Sequence, residues 1–388
     1  MRARSFGETR AKIAMLLYGE QFTGKSTLAA QFAYMKREDG KPFRVLYIDA
    51  ESGSIDDYAS EMISNGVLPE NLYIVYTQSL QEVKTCIRKV KEHEDFYEID
   101  EEGNETDVVV KDADGQPFRA DAIVVDGTTV LDLTTKQGLI EFSKKRANVK
   151  ARQEELIGEE KLVKVEQAGL ELKDYQTIKF KGQDLILDLM ASGVHFIVTA
   201  REKDETVTKR DKQSGTFNSE ATGRKIPDGF KDIMYNVKTV LRLYRDEDGT
   251  VCAKVEKDRS GVHQPEEVVE DPTLLDWQSV IDKTAKAPEH VLKNDLNKSV
   301  ETEQKLYAKE VMTSVGEVIN DAPSEATAGD AVQSLKKEVK ELQKKIPAPK
   351  KKAVQDKLKE AGIPVAVKDI ESSDILKKYI EILNKALE

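Results

Sequence analysis

The stretch Gly19-Glu-Gln-Phe-Thr-Gly-Lys-Ser26 constrains the fold of this chain more than any other part of its sequence. It fits the spacing G-x-x-x-x-G-K-[ST], in which glycines let the backbone wrap around an anion with its N–H groups pointing inward. The apolar run Ile13–Tyr18 precedes it, and a helical pattern that starts at Lys25 follows it. This order of strand, loop and helix predicts a phosphate-binding loop within an α/β domain.

The residue types of this loop predict a site for ATP and Mg²⁺. Backbone amides and the partial positive charge of the helix N-terminus attract a triphosphate. Lys25 is expected to bridge the β and γ phosphates, and the Ser26 hydroxyl is expected to ligate Mg²⁺. The predicted nucleotide contacts are Gly19, Glu20, Gln21, Phe22, Thr23, Gly24, Lys25, Ser26 and Thr27.

Two further apolar runs end in carboxylates. Ala122–Asp126 predicts a buried strand, and Asp126 at its end is the candidate partner of Mg²⁺. Tyr47-Ile-Asp49-Ala-Glu51 ends in two acids, of which Glu51 is the candidate general base that polarises the attacking water. The alternative for Glu51 is an acidic residue of an ordinary surface loop.

Short β-branched runs alternate with helical patterns over the first 270 or so residues. This alternation is typical of an α/β fold with a mostly parallel central sheet. The predicted strands are Ile13–Tyr18, Arg44–Asp49, Leu72–Tyr76, Ala122–Asp126, Val194–Thr199 and Val237–Tyr244. The predicted helices between them are Lys25–Arg37, Ile55–Asn65, Gln81–His93 and Gly182–Ser192.

The composition along the chain predicts three parts. Residues 1–285 form the core, with a hairpin insertion at 94–121 that turns near Asp114-Gly115 and a helical insertion at 134–181. Residues 202–228 are rich in Gly, Ser, Thr and Lys, which predicts a long loop. Residues 286–350 are expected to be a partly disordered linker, and residues 351–388 a small helical module that needs a partner surface.

The order of the motifs resembles the RecA core of recombinases over roughly residues 10–265, and most closely the phage-encoded nucleotide-binding ATPases of RecA type, including single-strand annealing proteins. The segments that carry the resemblance are the phosphate loop, Ile48–Glu51, Asn71–Gln78 and Ile123–Asp126. It implies a RecA-like P-loop ATPase core that acts on DNA, in which the glutamate at position 51 activates water.

Val255-Glu-Lys-Asp-Arg-Ser-Gly261 resembles the K-N-R-F-G motif of RadA-like proteins, with departures at Asp258 and Ser260. The resemblance implies a homo-oligomer, either a ring or a filament, in which Lys257 or Arg259 reaches the nucleotide or DNA of a neighbouring subunit. Thr199 or Arg201 stands where RecA-like proteins sense the γ-phosphate, although the glutamine of that family is absent. The alternative for Lys257 and Arg259 is a solvated face of a two-stranded ribbon.

Two basic segments are candidates for contact with single-stranded DNA. The first follows Phe142, on which a base could stack, and contains Lys144, Lys145, Arg146, Lys150 and Arg152. The second runs from Lys209-Arg210-Asp-Lys212 to Arg224-Lys225 within the 202–228 segment. For both, a solvated charged surface is the competing interpretation.

Composition excludes several classes of protein. The mean hydropathy is −0.53 and no apolar run reaches about 18 residues, so we expect no membrane span. We also expect no secretory signal. The predicted location is the cytoplasm, which is that of the host if the chain is phage-encoded. Cys86 and Cys252 are too few for a disulfide scaffold, and the four histidines lack metal-ligand spacing. The net charge of −11 argues against nonspecific coating of nucleic acid.

The sequence therefore favours a Mg²⁺-dependent ATPase that acts on single-stranded DNA in phage-type recombination, annealing or repair. Two alternatives stay open: a replicative-helicase-like motor, and a nucleotide-gated scaffold that recruits partners through its tail without useful turnover. A small-molecule kinase is disfavoured because no Arg-rich lid follows the Asp126 strand.

Overall fold

The structure is a computed structural model of the 388-residue chain. It describes residues 6–53, 55–100, 102–210 and 217–315, and towards the C-terminus residues 335, 336, 339, 342, 343, 346, 354, 357, 358, 361, 363, 364, 370 and 373–387. The chain divides into two compact units, residues 1–296 and residues 297–388. The boundaries expected near residues 285 and 350 stay predictions.

The first unit is built on a mixed sheet of nine strands among the described residues, six of which are mutually parallel. Its order is β11-β10-β9-β1-β7-β6-β2-β3, and β8 pairs with β7 alone. A separate two-stranded ladder joins β4 and β5. The strands are β1 Ala14–Gly19, β2 Val45–Asp49, β3 Leu72–Tyr76, β4 Tyr97–Ile99, β5 Glu105–Val109, β6 Ala122–Asp126, β7 His195–Arg210, β8 Phe217–Pro227, β9 Thr239–Arg245, β10 Val251–Asp258 and β11 Val268–Glu270.

Helices cover both faces of this sheet, which confirms the expected α/β fold with a mostly parallel centre. The α-helices are α1 Lys25–Ala30, α2 Ala59–Ser64, α3 Leu80–Glu92, α4 Thr128–Gln153, α5 Gly158–Glu166, α6 Leu172–Ala191, α7 Ile233–Asn236, α8 Gln278–Thr284, α9 Leu296–Val315 and α10 Ser373–Leu387. Short 3-10 helices span Gln31–Tyr34, Asp56–Tyr58, Pro69–Asn71 and Leu274–Trp277. No helix in the described ranges is long and apolar enough to cross a membrane.

The apolar strands are buried on both faces because successive side chains alternate between two cores. In β1, Leu16 and Tyr18 pack with α3, α4 and α6, whereas Met15 and Leu17 pack with α1, α2 and α8. The continuous apolar runs of the sequence are therefore parallel strands that lie between two layers of helices.

Residues 202–228 differ from the expected loop. Strand β7 continues past the edge of the sheet to Arg210 and pairs in antiparallel register with β8 from Phe217 to Pro227. The run Thr206-Val-Thr favours a strand, but the hairpin carries polar side chains on exposed faces, so the alternation of a buried strand is missing from the sequence. The prediction of a loop over this segment is wrong.

The insertion at 94–121 contains two turns. The β4–β5 ladder pairs Ile99 with Glu105, and the Gly103 amide donates to the Asp100 carbonyl oxygen at 3.0 Å. A second tight turn places the Gly115 amide 2.8 Å from the Asp112 carbonyl oxygen, beside a bridge between Lys111 and Pro117. The expected turn near Asp114-Gly115 is thus present, next to a longer hairpin that the sequence did not indicate.

The second unit has a small apolar core of its own. Val339, Ile346, Leu358 and Leu383 are buried there, and the Tyr379 hydroxyl accepts a hydrogen bond of 2.7 Å from Gln343 Nε2. The basic run Lys350–Lys352 lies outside the described residues. Helix α10 buries Leu376, Tyr379 and Leu383, whereas Ile375 is 37% exposed.

Candidate active site

The carboxyl ends of the parallel strands bring the predicted site residues to one edge of the sheet. Gly19 at the end of β1 is in register with Arg201 of β7, and Asp49 at the end of β2 is in register with Asp126 of β6. Ligands of open α/β sheets bind at this edge, because the loops that follow the strands converge there. We call it the carboxyl edge.

The phosphate loop follows β1 as a tight turn into α1. A Cβ atom at Gly19 would lie 2.0 Å from the Leu243 carbonyl oxygen, so only glycine fits against β9 at this position. Gly24 is the N-cap of α1 and has a φ of 81°, a left-handed conformation that other residues adopt at a cost. Both glycines of the motif are therefore required by the backbone.

Lys25 is folded over this turn. Its ammonium donates to the Glu20 carbonyl oxygen and lies 3.5 Å from Thr23 Oγ1, which itself donates to the same carbonyl at 2.9 Å. Burial lowers the pKa of Lys25 below its ordinary value, and the carboxylates of Glu51 and Asp126 oppose that shift. The candidate base Glu51 and the candidate Mg²⁺ partner Asp126 therefore both favour the charged form of Lys25.

The loop is also held by Arg245 at the end of β9, which sequence reasoning did not single out. Arg245 Nε donates to the Phe22 carbonyl oxygen at 2.9 Å, and one terminal nitrogen donates to the Gly249 carbonyl oxygen at 2.6 Å. The Phe22 side chain is 87% exposed at the tip of the loop. Arg245 belongs to no recognisable sequence motif, so only the fold reveals this contact.

Asp126 is 2% exposed, and its carboxylate is oriented by two hydroxyl groups. Tyr47 Oη donates to Oδ2 at 2.6 Å, and Thr199 Oγ1 donates to Oδ1. The Thr199 oxygen in turn accepts from the Gly127 amide at 2.8 Å. Because Thr199 makes these contacts, its observed role is to position Asp126.

Ser26 and Asp126 are the residues that would hold Mg²⁺. A hydroxyl and a carboxylate are the oxygen ligands that this ion prefers, and a carboxylate with two hydroxyl donors still has lone pairs for a metal-bound water. Ser26 is half-buried in the first turn of α1. The donor set fits the ion. Within the described ranges, no group of three or more His, Cys, Asp or Glu side chains forms a separate metal centre.

Asp49 has a different function from the neighbouring acid. It is 1% exposed, and its carboxylate accepts from the amides of Glu51 and Ser52 through Oδ1, at 2.8 and 2.9 Å, and of Gly53 through Oδ2, at 2.7 Å. These contacts fix the turn that carries Glu51. Asp49 is thus a positioning residue, which the sequence did not distinguish from a catalytic one.

Glu51 and Arg201 meet across the carboxyl edge, with 3.1 Å between Arg201 Nε and Glu51 Oε1. Gly127 makes room for this arrangement, because a Cβ there would lie 2.6 Å from Glu51 Cγ. The Arg201 amide donates to Thr129 Oγ1 at 2.9 Å, which anchors the end of the regular strand to α4. The candidate base and one candidate sensor therefore form one ion pair.

Lys257 and Arg259 lie at the opposite edge. Lys257 is paired with Val240, which is in register with Leu16, and the Arg259 amide donates to the Lys238 carbonyl oxygen. Arg259 is thus roughly 16 Å from Gly19 along the strands. The Lys257 ammonium donates to the carbonyl oxygens of Met234, Tyr235 and Val237. Neither cation faces the phosphate loop of its own chain, and a role at a neighbouring subunit stays a prediction.

The basic segment after Phe142 lies on α4, where acids compensate several of its charges. Arg146 binds the Asp174 carboxylate at 2.6 Å, Lys144 binds Glu166 at 3.0 Å, and Lys150 lies 4.0 Å from Glu171. Lys145 and Arg152 are exposed and form no ion pair with the described residues, and Phe142 is 55% exposed. The cationic surface that is left to bind a polyanion is therefore smaller than the sequence predicted.

The second basic segment is the β7–β8 hairpin, which projects beyond the carboxyl edge. Lys203 pairs with Asp228 at 2.8 Å, Lys209 with Glu220 at 2.7 Å, and Lys225 with Asp204 at 3.0 Å. Lys212 lies outside the described residues. Cross-strand pairs of opposite charge stabilise an exposed hairpin, so much of the basic character of this segment is structural.

No protein-family model and no curated protein matches this chain. Among solved structures, the chain is similar to a KaiC-like protein from the hyperthermophilic archaeon Pyrococcus horikoshii, at 16% sequence identity and a TM-score of 0.37. The match covers 67% of this chain and 89% of that protein. A similarity at this identity concerns the fold alone.

Proposed function

We propose that this chain binds ATP with Mg²⁺ at the phosphate loop and hydrolyses it. The observation that carries the proposal is the convergence of Lys25, Glu51, Asp126 and Arg201 at the carboxyl edge, around the turn that starts α1. A half-buried lysine, two carboxylates with different surroundings and an exposed guanidinium are the groups that phosphoryl transfer to water needs.

Each group has one task in this proposal. Lys25 leaves the Glu20 carbonyl and neutralises the β and γ phosphates, while Arg201 faces the γ-phosphate from β7. Glu51 accepts the proton of the attacking water, because Asp49 and the turn that it fixes hold this carboxylate in place. Ser26 and Asp126 hold Mg²⁺, which supplies neutralisation of phosphate charge when bound.

A cavity of about 430 Å³ beside α1 supports a nucleoside rather than a bare polyphosphate. Its lining includes Thr27, which directly follows Ser26, and the rings of Tyr34 and Tyr58. Asn65 adds an amide group that can pair with the edge of a base. Gln31 can add only its Nε2 donor, because its Oε1 accepts from the Thr273 hydroxyl and the Leu274 amide. Pockets of this size and of mixed aromatic and polar lining suit a nucleobase.

The wider role that we propose is that of a RecA-type ATPase on single-stranded DNA, in phage-type recombination or annealing, assembled as a ring or filament with Lys257 or Arg259 acting between subunits. Support comes from exposed Lys145, Arg152 and Phe142 on α4, and from the place of Lys257 and Arg259 far from the phosphate loop of their own chain. Because acids neutralise the neighbouring cations, we expect weak and salt-sensitive DNA binding.

The test of nucleotide use compares wild type with Lys25→Ala and with Lys36→Ala, an exposed lysine outside the site. ATP affinity and phosphate release are measured with and without Mg²⁺. We expect both to be lost in Lys25→Ala and retained in Lys36→Ala. Unchanged affinity in Lys25→Ala would contradict nucleotide binding at this loop, and wild-type binding without phosphate release would support the scaffold alternative.

The DNA proposal is tested separately, by titrating a fluorescent single strand at several salt concentrations with the Lys145→Gln/Arg152→Gln double variant. We expect affinity to fall with salt and to be weaker in the double variant. The matched control is Lys161→Gln, on α5. If wild type binds no DNA at low salt and its ATPase rate is not stimulated by DNA, this role is wrong while the ATPase proposal stands.

A further inference from the structure

A second cavity lies at the edge of the sheet opposite the phosphate loop. It measures about 370 Å³ and lies among the segment that precedes β1, the start of β9, the end of β10 and helix α8. We call it the basal cavity. One wall is apolar and includes Met190 and Trp277, the one tryptophan of the chain.

The charged lining of the basal cavity is entirely cationic. Lys12, Lys238, Arg259 and Lys283 line it, and no aspartate or glutamate does. Among the contacts of the described residues, the side chains of Arg259 and Lys283 form neither a hydrogen bond nor an ion pair. Unpaired cations around a partly enclosed space repel one another, which favours the binding of an anion.

Lys238 is the clearest case of a cation in this lining without an acidic partner among the described residues. Its half-buried ammonium donates to the Lys12 carbonyl oxygen at 2.9 Å and has no carboxylate partner in the part of the chain that the structure describes. Burial lowers the pKa of Lys238, and the nearby charge of Lys12 lowers it further. An anion in the cavity would favour the charged form of Lys238 and so oppose both effects on its pKa.

The nearest acids are engaged elsewhere. Asp258 accepts from the Thr239 hydroxyl at 2.9 Å, from the Ser260 amide and hydroxyl, and from the amides of Val262 and His263. Glu289 pairs with Lys12 at 3.1 Å, and the other three cations have no ion-pair partner in the part of the chain that the structure describes. The Asp258 carboxylate thus stabilises the turn after β10. Its donors are uncharged and it keeps its negative charge, but among the described residues it forms no ion pair with Lys238, Arg259 or Lys283.

A larger cavity on the same edge provides a comparison. It measures about 480 Å³ and is also lined with basic residues, but most of them have acidic partners. The pairs there are Arg10–Glu38 at 3.1 Å, Arg37–Asp39 at 3.5 Å, Arg44–Asp121 at 2.9 Å and Arg119–Asp95 at 2.5 Å. Among the described residues, cations without ion-pair partners are thus typical of the basal cavity and not of the whole edge.

We propose that the basal cavity is a second anion site, which takes a phosphate or diphosphate group between Lys238, Arg259 and Lys283. Compact ammonium groups and one guanidinium suit phosphate oxygens, and the apolar wall accommodates the remainder of the ligand. The phosphate group can come from a free phosphorylated compound or from a molecule that a second copy of the chain presents. The proposal does not depend on ATP hydrolysis.

Trp277 is a built-in reporter, because it is 2% exposed, lines the cavity and is the one tryptophan of the chain. The experiment titrates full-length Lys25→Ala protein, which lacks the lysine of the phosphate loop, with pyrophosphate while tryptophan fluorescence is recorded. We expect a saturable change that sodium chloride at the same ionic strength does not produce. Thermal unfolding in the same titration should shift upwards in parallel.

Variants assign the response to the cavity. Lys238→Met and Arg259→Gln, each in the Lys25→Ala background, should raise the pyrophosphate concentration at half-saturation by about tenfold or more. This is the effect expected for loss of a charge-assisted hydrogen bond. Lys283 is exposed, so Lys283→Gln should leave folding intact. This variant should raise the pyrophosphate concentration at half-saturation by a smaller factor. Lys286→Gln, on the exposed segment beyond the cavity lining, is the matched control and should titrate like its parent.

Two arms separate the sources of the phosphate. A response of dilute Lys25→Ala protein to pyrophosphate identifies a free ligand, whereas a response of wild type to ATP that grows with protein concentration, and that Arg259→Gln abolishes, identifies phosphates presented by a second copy. Either result supports phosphate recognition. Lack of a response in both arms, or a response that the Lys238 and Arg259 variants fully retain, overturns the proposal.

Discussion

Arg201 and Glu51 form an ion pair across the carboxyl edge, although they are 150 residues apart in sequence. Arg201 is in register with Gly19 of the phosphate loop, and Glu51 lies directly against Gly127, beside the end of the Asp126 strand. The pair therefore connects the phosphate loop to the candidate general base. Under the proposed function, a γ-phosphate that enters the site would compete with Glu51 for the Arg201 guanidinium. The arrival of nucleotide would then free the candidate base.

Replacing Glu51 with Gln tests its role as the base. The amide keeps the shape of the side chain and loses the ability to accept a proton, so ATP binding should persist while steady-state phosphate release falls by roughly 10²–10⁴-fold. Glu70→Gln, on an exposed 3-10 turn away from the site, is the control and should hydrolyse ATP like wild type. Full activity in Glu51→Gln would leave this residue without a catalytic role.

Replacing Arg201 with Gln tests its role as the sensor of the γ-phosphate. A guanidinium that contacts this group favours ATP over ADP, so the ratio of the two dissociation constants should shrink by about tenfold in the variant. Calorimetric titration with ADP and with a non-hydrolysable ATP analogue measures it. Lys203→Gln removes a neighbouring cation that is paired with Asp228 and should preserve the ratio. An unchanged ratio in Arg201→Gln would assign the arginine to positioning of Glu51 alone.

The sequence predicted the six parallel strands of the sheet, and the edge at which the candidate residues meet, because both depend on local patterns. The boundaries of β3 and β6 follow directly from apolar runs that stop at a polar residue, and parallel pairing then brings Asp126 and the acidic end of β2 to one edge. The glycines of the phosphate loop could also be predicted from a local pattern. Their spacing reflects backbone geometry that few other residues tolerate.

Contacts between distant segments could not be predicted in this way. Asp49 and Glu51 look equivalent along the chain, and only the amides that bind Asp49 show which acid positions the turn. Arg245, which holds the phosphate loop at Phe22, belongs to no motif. The sequence predicts a loop in place of the β7–β8 hairpin because a strand with two exposed faces lacks the apolar alternation of a buried one.

Tyr58 is expected to contribute to the binding of the nucleobase. It lines the cavity beside α1 and is partly exposed there, so its ring is free to stack on a purine. Tyr58→Ala should raise the KM for ATP by about tenfold and leave kcat nearly unchanged, because stacking is the same in the ground state and the transition state. Tyr175→Ala on α6 is the control. The affinity for inorganic triphosphate should be equal in wild type and Tyr58→Ala; a loss there would point to a general defect of the site.

His195 is expected to make the stability of the core depend on pH. Its ring is buried at the start of β7, with 5.2 Å between the centroids of the His195 and Phe43 rings, and Nδ1 accepts from the Ile13 amide at 3.1 Å. Burial, with smaller contributions from Lys12 and Lys238, lowers the pKa of His195 from 6.5 to about 3. The unfolded chain therefore binds more protons between these two values. Stability is complete above about pH 6.5 and is lost as the pH falls towards 3, by about 1.4 kcal/mol per pH unit.

The variant His195→Asn keeps an acceptor for the Ile13 amide and removes the titrating group. Urea unfolding followed by Trp277 fluorescence at pH 7.5 and pH 5 should show a loss of stability in wild type that exceeds the loss in His195→Asn by about 2 kcal/mol. His93→Asn, at the exposed end of α3, should behave like wild type. Equal pH dependence in wild type and His195→Asn would show that His195 does not stay neutral in the folded core.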